Sequence, residues 1–200
     1  MLPLLSTSEP VGWSWEERFR VQLETFCTLA ASEGIRLTPY HPQRPFADFR
    51  LLPQEAQAAI VQNFQVYLNA CLRAKADGES IRDDSRVVLW GILRHLGLRP
   101  SSDLFERLQT DDVIEVYGSD LIQIYRNLRF LELCTYPLDQ IFSCAWPDLF
   151  QRPSEFTESV LKDIGQILGG KVRHTIDLDS REHVVQETCS EERRKFGVRH

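Results

Sequence analysis

The sequence predicts an α+β chain, with a helical first half followed by an antiparallel sheet and its covering helices. Three observations predict it. Apolar residues recur at helical spacing through residues 14–97. Short apolar and β-branched segments then appear at 113–125 and again from residue 172 onward. Between the two patterns, Leu98-Arg99-Pro100 interrupts the helical run. Residues 1–100 are therefore expected to form a helical region for dimerisation or partner binding, and residues 101–200 a second domain.

Residues 1–13 read as a flexible lead. Ser14 precedes Trp15-Glu16-Glu17, an N-cap followed by first-turn acids. Trp15, Phe19, Leu23, Phe26 and Ala30 then form one stripe, and Gly34 stops a helix of about 14–32. The stretch TPYHPQRPF, residues 38–46, carries three prolines and is a loop or an extended crossing segment. Pro53 opens a second helix whose face holds Ala56, Ile60, Phe64, Tyr67 or Leu68, and Cys71, ending near Asp77-Gly78. A third begins at Asp83 or Asp84, with Val87, Trp90, Leu93 and Leu96 as its stripe and Gly97 as its stop. Apolar faces of this size need a cover, from one another or from a second copy.

Past the boundary, Ser101 or Ser102 caps a short helix over 103–109. Val113–Tyr117 and Leu121–Tyr125 make a hairpin around Gly118-Ser119-Asp120. Helical segments follow at 128–134, 137–143 and 146–150, then a longer helix over 155–168 closed by Gly169-Gly170. Strands are expected at 172–178, where Val172, His174, Ile176 and Leu178 alternate with polar residues, then at 183–189 and 194–199.

Composition narrows the function classes. Of 200 residues, 42% are hydrophobic and 26% charged, as in a folded globular protein. The 29 acidic and 23 basic side chains leave a net charge of -6, which disfavours nonspecific phosphate-backbone binding. Cys27, Cys71, Cys134, Cys144 and Cys189 are scattered, with no CxxC pair. Reduced thiols in a cytoplasmic protein are therefore expected, with no clustered metal ligands. The start, MLPLLSTSEP, lacks the basic segment of a secretory leader, and no apolar run reaches the ~20 residues of a membrane span.

The order of hairpin, short helices, longer helix and meander resembles the PAS fold, a five-stranded antiparallel sheet with helices on one face. Residues 127–138, NLRFLELCTYPL, resemble the PAS stretch in which an Asn precedes one helix and a Tyr the next. Ile141 and Trp146-Pro147-Asp148-Leu149-Phe150 resemble the segment after it. The likeness covers residues 101–200 and implies a sensor or interaction module. It names no cofactor. Cys134 lacks the Gly-x-Asn context of a flavin-binding motif, and the helix at 155–168 has no His to ligate haem. By fold position, the implied pocket wall is Ile124, Phe130, Leu133, Tyr136, Ile141, Trp146, Ile164, His174 and Ile176. No effector segment is expected after the last strand.

Other residues admit two readings. His174 is either a pocket histidine or a core histidine bonded to a carbonyl, while His41 and His183 are loop and strand-start residues. Cys134 and Cys144 are redox thiols or small buried hydrophobes. Asp111-Asp112, Glu155-Glu158 and Glu191-Glu192 fit helix starts and turns better than a catalytic pair. Arg193-Arg194-Lys195 and Arg199 form a small basic cluster diluted by Glu191 and Glu192. No phosphate loop, GxSxG or HExxH occurs. Trp13, Trp15 and Phe19 are either helix-packing residues or an interface. Val113 and Tyr117 share the outer face of the hairpin, which the helical half or a second subunit is expected to cover.

These readings converge on a non-catalytic cytoplasmic sensory or regulatory module. It would bind a small ligand or a protein partner, and it would signal through its N-terminal helices as a homodimer or with that partner. The alternative is a structural interaction adaptor whose core is filled by Phe130, Phe142, Trp146, Phe150 and Phe156. A weaker alternative is a DNA-binding regulator using helices 53–97, whose third helix starts with Asp83-Asp84.

Overall fold

The first helix, α1 (Trp15–Ser32), starts where its capping chemistry requires. The Glu17 amide donates to Ser14 Oγ at 3.2 Å, and the Ser14 amide donates to the Glu17 carboxylate at 2.8 Å. Its apolar stripe buries Phe19, Leu23, Phe26 and Ala30. The structure is a computed structural model that describes residues 12–83, 85–100, 103–118, 122–169, 183–188 and 195–198. The chain divides into two compact units, Met1–Cys144 and Ala145–His200.

In the first unit, the proline-rich stretch is a loop, as expected. It leads into a short helix that the sequence pattern does not reveal, α2 (Ala47–Leu51). Helix α3 (Gln54–Ala76) follows with Pro53 at its N-cap, and it buries Ile60, Phe64, Tyr67, Leu68 and Cys71 against α1. Helix α4 (Ser85–His95) packs on α3 and is followed by α5 (Leu104–Arg107). Strands β1 (Glu115–Tyr117) and β2 (Gln123–Arg126) pair antiparallel with an irregularity after Val116. Helices α6 (Leu128–Leu133) and α7 (Leu138–Ser143) complete the unit.

A connected set of rings fills the core. Phe19 stacks on Phe49 at 4.9 Å, Phe26 meets Tyr67 at 4.9 Å, Phe64 meets Phe142 edge-on at 4.7 Å, and Tyr67 meets Tyr125 edge-on at 5.0 Å. Each such pair adds about 0.5–1.5 kcal/mol beyond its area burial. These contacts tie α1, α2, α3, β2 and α7 into one core. The hairpin thus belongs with the N-terminal helices: β2 is buried along its whole length and packs on α3. The sequence places a boundary near residue 100, but the compact unit runs on to Cys144.

The second unit contains α8 (Trp146–Leu149), β3 (Phe150–Gln151), α9 (Ser154–Leu168), β4 (His183–Glu187) and β5 (Lys195–Val198). Its three strands are antiparallel in the order β3-β4-β5. The expected strand at 172–178 lies outside the described residues.

The five-stranded sheet and the PAS resemblance are overturned. Strands fall into separate two-stranded and three-stranded sheets, and helix dominates the fold. The residues that suggested PAS have local explanations. Asn127 caps α6, its side chain accepting from the Phe130 amide at 3.3 Å and the Ile114 amide at 3.1 Å. Pro147 occupies the first turn of α8, with Asp148 in that same turn, which is ordinary helix-start chemistry. The chain remains a mixture of helix and strand with a helical N-terminus.

Candidate functional site

The residues of the implied pocket wall are spread over both units and beyond the described residues. Ile124, Phe130, Tyr136 and Ile141 are buried in the first unit, whereas Leu133 is 39% exposed. Trp146 and Ile164 belong to the second unit, and His174 and Ile176 lie outside the described residues. The expected interface residues also part company. Phe19 is core, Trp13 and Val113 are exposed, and Trp15 lies under the Arg18 guanidinium at 4.9 Å. Tyr117 is drawn into a polar network.

That network surrounds Arg126, which β2 carries fully buried. Its guanidinium lies 4.0 Å from the centre of the Phe130 ring. Nη2 donates to the Tyr117 hydroxyl at 2.5 Å, and Nε lies 3.3 Å from the Glu115 carboxylate. The Tyr117 hydroxyl in turn donates to Glu115 at 3.0 Å. Burial pushes the Tyr117 hydroxyl well above its ordinary pKa, so it stays a neutral donor. The Arg126 carbonyl accepts from the Tyr67 hydroxyl of α3. This enclosure pairs the charge within its own hairpin and fastens the hairpin to α3.

A second buried charge, Asp139 of α7, grips the proline-rich loop. Its carboxylate accepts from the Phe46 amide at 2.7 Å, the Gln140 amide at 2.9 Å, and the His41 amide at 3.2 and 3.3 Å. Burial raises the carboxyl pKa, the three amides oppose that rise, and Asp48 adds to it. His41 closes the loop on itself, its Nδ1 accepting from the Gln43 and Arg44 amides at 3.2 Å. Phe46 holds a left-handed backbone with φ 59°. These contacts fix a loop that the sequence leaves undefined.

Cys27 and Cys71 offer little nucleophilic character. Burial raises the Cys27 pKa to about 11, with Glu24 adding to it, and burial raises that of Cys71 further. Cys134 and Cys144 are partly buried. Among the described residues, no group of three or more His, Cys, Asp or Glu side chains could hold a metal ion. Asp112 accepts from the Gln109 amide at 2.8 Å, a turn contact. Glu155 lies in the first turn of α9, and Glu191-Glu192 lie outside the described residues.

The outer face of α4 is different. The predicted stripe was Val87, Trp90, Leu93 and Leu96. Leu93 is buried as expected, but alongside Val88, Leu89 and Ile92, leaving Val87 37% and Trp90 47% exposed. Gly91 sits on the inner side, where an added Cβ would lie 3.4 Å from the Ala70 Cβ of α3. On the outer side, Phe105 of α5 meets the Trp90 ring edge-on at 5.7 Å. Val87 and Trp90 are three residues apart and so neighbours on one helix surface. Residues 85–102 hold Arg86, Arg94 and Arg99 and no carboxylate. This apolar patch with basic flanks was hidden because the predicted stripe assigned Val87 and Trp90 to the core.

Among the described residues, no helix is long and apolar enough to cross a membrane. Comparison with protein-family models, with curated proteins and with solved structures gave no match.

Proposed function

We propose that the chain is a non-catalytic interaction module that docks a protein partner on the outer face of α4. The observation that carries this reading is the exposure of Val87 and Trp90 on a helix that already buries four other apolar residues. Leaving a large aromatic in water forgoes burial energy, and aromatic anchors are enriched where proteins meet. The ring contacts across the first unit support the adaptor form of this reading. Of the five rings expected to fill that core, Phe130 and Phe142 are buried in the first unit, whereas Trp146, Phe150 and Phe156 belong to the second.

The test is site-specific photocrosslinking in the native host. A photoreactive phenylalanine analogue replaces Trp90 in one full-length chain and the exposed Gln62 of α3 in another. A discrete protein adduct from position 90, absent from position 62 and lost on adding Val87→Glu, is the expected result. No adduct at position 90, or equal adducts at both positions, would overturn the reading.

A further inference from the structure

We infer that residues 112–118 and 122–133, which hold β1, β2 and α6, form a releasable cover over α3, poised to lift as one unit from a helical core that stays folded. The inference is independent of the α4 face. Polar contacts within the cover close on themselves. The Asn127 side chain accepts from the Ile114 and Phe130 amides and donates to the Asp112 carbonyl at 2.7 Å. Its backbone amide donates to the Ile114 carbonyl at 3.1 Å. The charge of Arg126 is met by Glu115 and Tyr117 of β1 and by the Phe130 ring of α6. These partners travel with Arg126 when the unit lifts, so that lifting strands no buried charge.

One buried member of the cover opposes its docking. Gln123 of β2 is 2% exposed, and neither its amide oxygen nor its amide nitrogen has a hydrogen-bond partner among the described residues. A buried amide without partners carries its full desolvation cost, which hydration relieves once the strand lifts. Holding the cover down are Tyr125 edge-on to Tyr67, the buried Ile124, and the bond from the Tyr67 hydroxyl to the Arg126 carbonyl. Arg82 also reaches Glu132 of α6, a surface pair of small worth. Helix α7 belongs to the part that stays. Its Leu138 and Asp139 amides bond the Thr38 and Pro39 carbonyls, and Phe142 packs edge-on against Phe64. A unit that is satisfied internally and docked against an unsatisfied group opens below the energy of global unfolding. Lifting bares the Tyr67 and Tyr125 rings, a conditional apolar surface distinct from the α4 face.

The experiment follows amide hydrogen exchange of the full chain by mass spectrometry, at rising urea below the unfolding transition. At matched intrinsic rates, the cover should exchange about tenfold faster than residues 60–71 of α3 and 138–143 of α7, with a shallower urea dependence. Gln123→Leu should slow exchange of the cover about tenfold, and Tyr67→Phe should speed it about fivefold. Phe19→Leu weakens the contact of α1 with Phe64 of α3, so it should speed residues 60–71 and leave the cover unchanged. Circular dichroism melts verify that each variant folds, and Gln123→Met substitutes for Gln123→Leu if that chain does not.

Exchange of the cover at the rate of residues 60–71, with the same urea dependence, would overturn the inference. So would unchanged or faster exchange of the cover in Gln123→Leu, the result expected of an amide held by a bound water. Equal acceleration of both regions by Phe19→Leu would overturn it as well, because the two would then open only together. The crosslinking result at position 90 bears on none of these outcomes, so this inference and the docking reading stand or fall separately.

Discussion

Two surface segments of the first unit, the 38–46 loop and the outer face of α4, look alike in sequence and differ in how the structure uses them. Both mix aromatics with basic residues. The loop turns its polar contacts inward: its His41 and Phe46 amides donate to Asp139, and the Leu138 and Asp139 amides donate to the Thr38 and Pro39 carbonyls at 2.9 and 3.0 Å. Phe46 is buried and close to Phe19 at 6.0 Å. The α4 face turns Val87 and Trp90 outward, with Phe105 edge-on to the Trp90 ring. Surface side chains committed to the fold can be told from those left over by asking which of their contacts return to the core.

The comparison breaks most sharply at Ile92, the inner counterpart of Trp90 and fully buried. Ile92→Ala should cost about 2–5 kcal/mol in a urea titration, from lost transfer energy and the cavity left behind. A loss below about 1 kcal/mol would mean that the two faces of α4 are wrongly assigned.

Next in size is the loop clamp. Asp139→Asn replaces one acceptor oxygen with an NH₂ group that faces backbone donors, and should cost about 1–3 kcal/mol. The pH dependence has a definite sign. Burial raises the folded carboxyl pKa above its ordinary 3.8, so the native state keeps a proton that the unfolded chain has released. Asp139 therefore lowers stability as pH rises through and above 3.8, whereas Asn is indifferent to pH. The stability gap between the two chains should be widest in acid and narrow as pH rises. A gap that widens with pH would show that the amides hold the carboxylate more strongly than burial opposes it.

What could be read from the sequence follows the range of the forces involved. Ser14 and Glu17 act within three residues, so the start of α1 is legible, and so is the end of α4 at Gly97, which takes φ 70°. The Asp139 clamp joins residues 93 and 98 positions apart, and nothing local to TPYHPQRPF announces it. Strand pairing is equally nonlocal. The hairpin is legible, and so is its need for cover, but which helix supplies that cover depends on Tyr67 and Tyr125 meeting. The face of α4 failed for another reason: Val87 to Trp90, with Ile92 and Leu93, is apolar around most of the helix, so periodicity allows two solutions. Gly91 held the missing signal, because a glycine in a helix often marks close backbone approach, here to Ala70.

That glycine sharpens the comparison at a smaller scale. An added methyl at position 91 would reach Ala70 at ordinary contact distance, and glycine lowers helix stability relative to alanine. Gly91→Ala should therefore raise stability by about 0.5–1 kcal/mol. Gly91→Leu should reverse the sign, because the α3–α4 contact has no space for a branched side chain. Thermal melts of the two variants measure both.

The smallest effect on folding is expected at Val87, where the docking reading has most to lose. Serine and valine have similar helix propensities, so Val87→Ser leaves the backbone preference nearly unchanged. The side chain is 37% exposed on the outer face of the helix, so little packing is removed. The stability change should stay within about 0.5 kcal/mol, against several for Ile92→Ala five positions away. The photocrosslinked adduct from position 90 should nevertheless fall, because the apolar patch loses one of its two helix-borne members. A stability loss as large as that of Ile92→Ala would return Val87 to the core. An unchanged adduct would leave the outer face without the partner contact assigned to it.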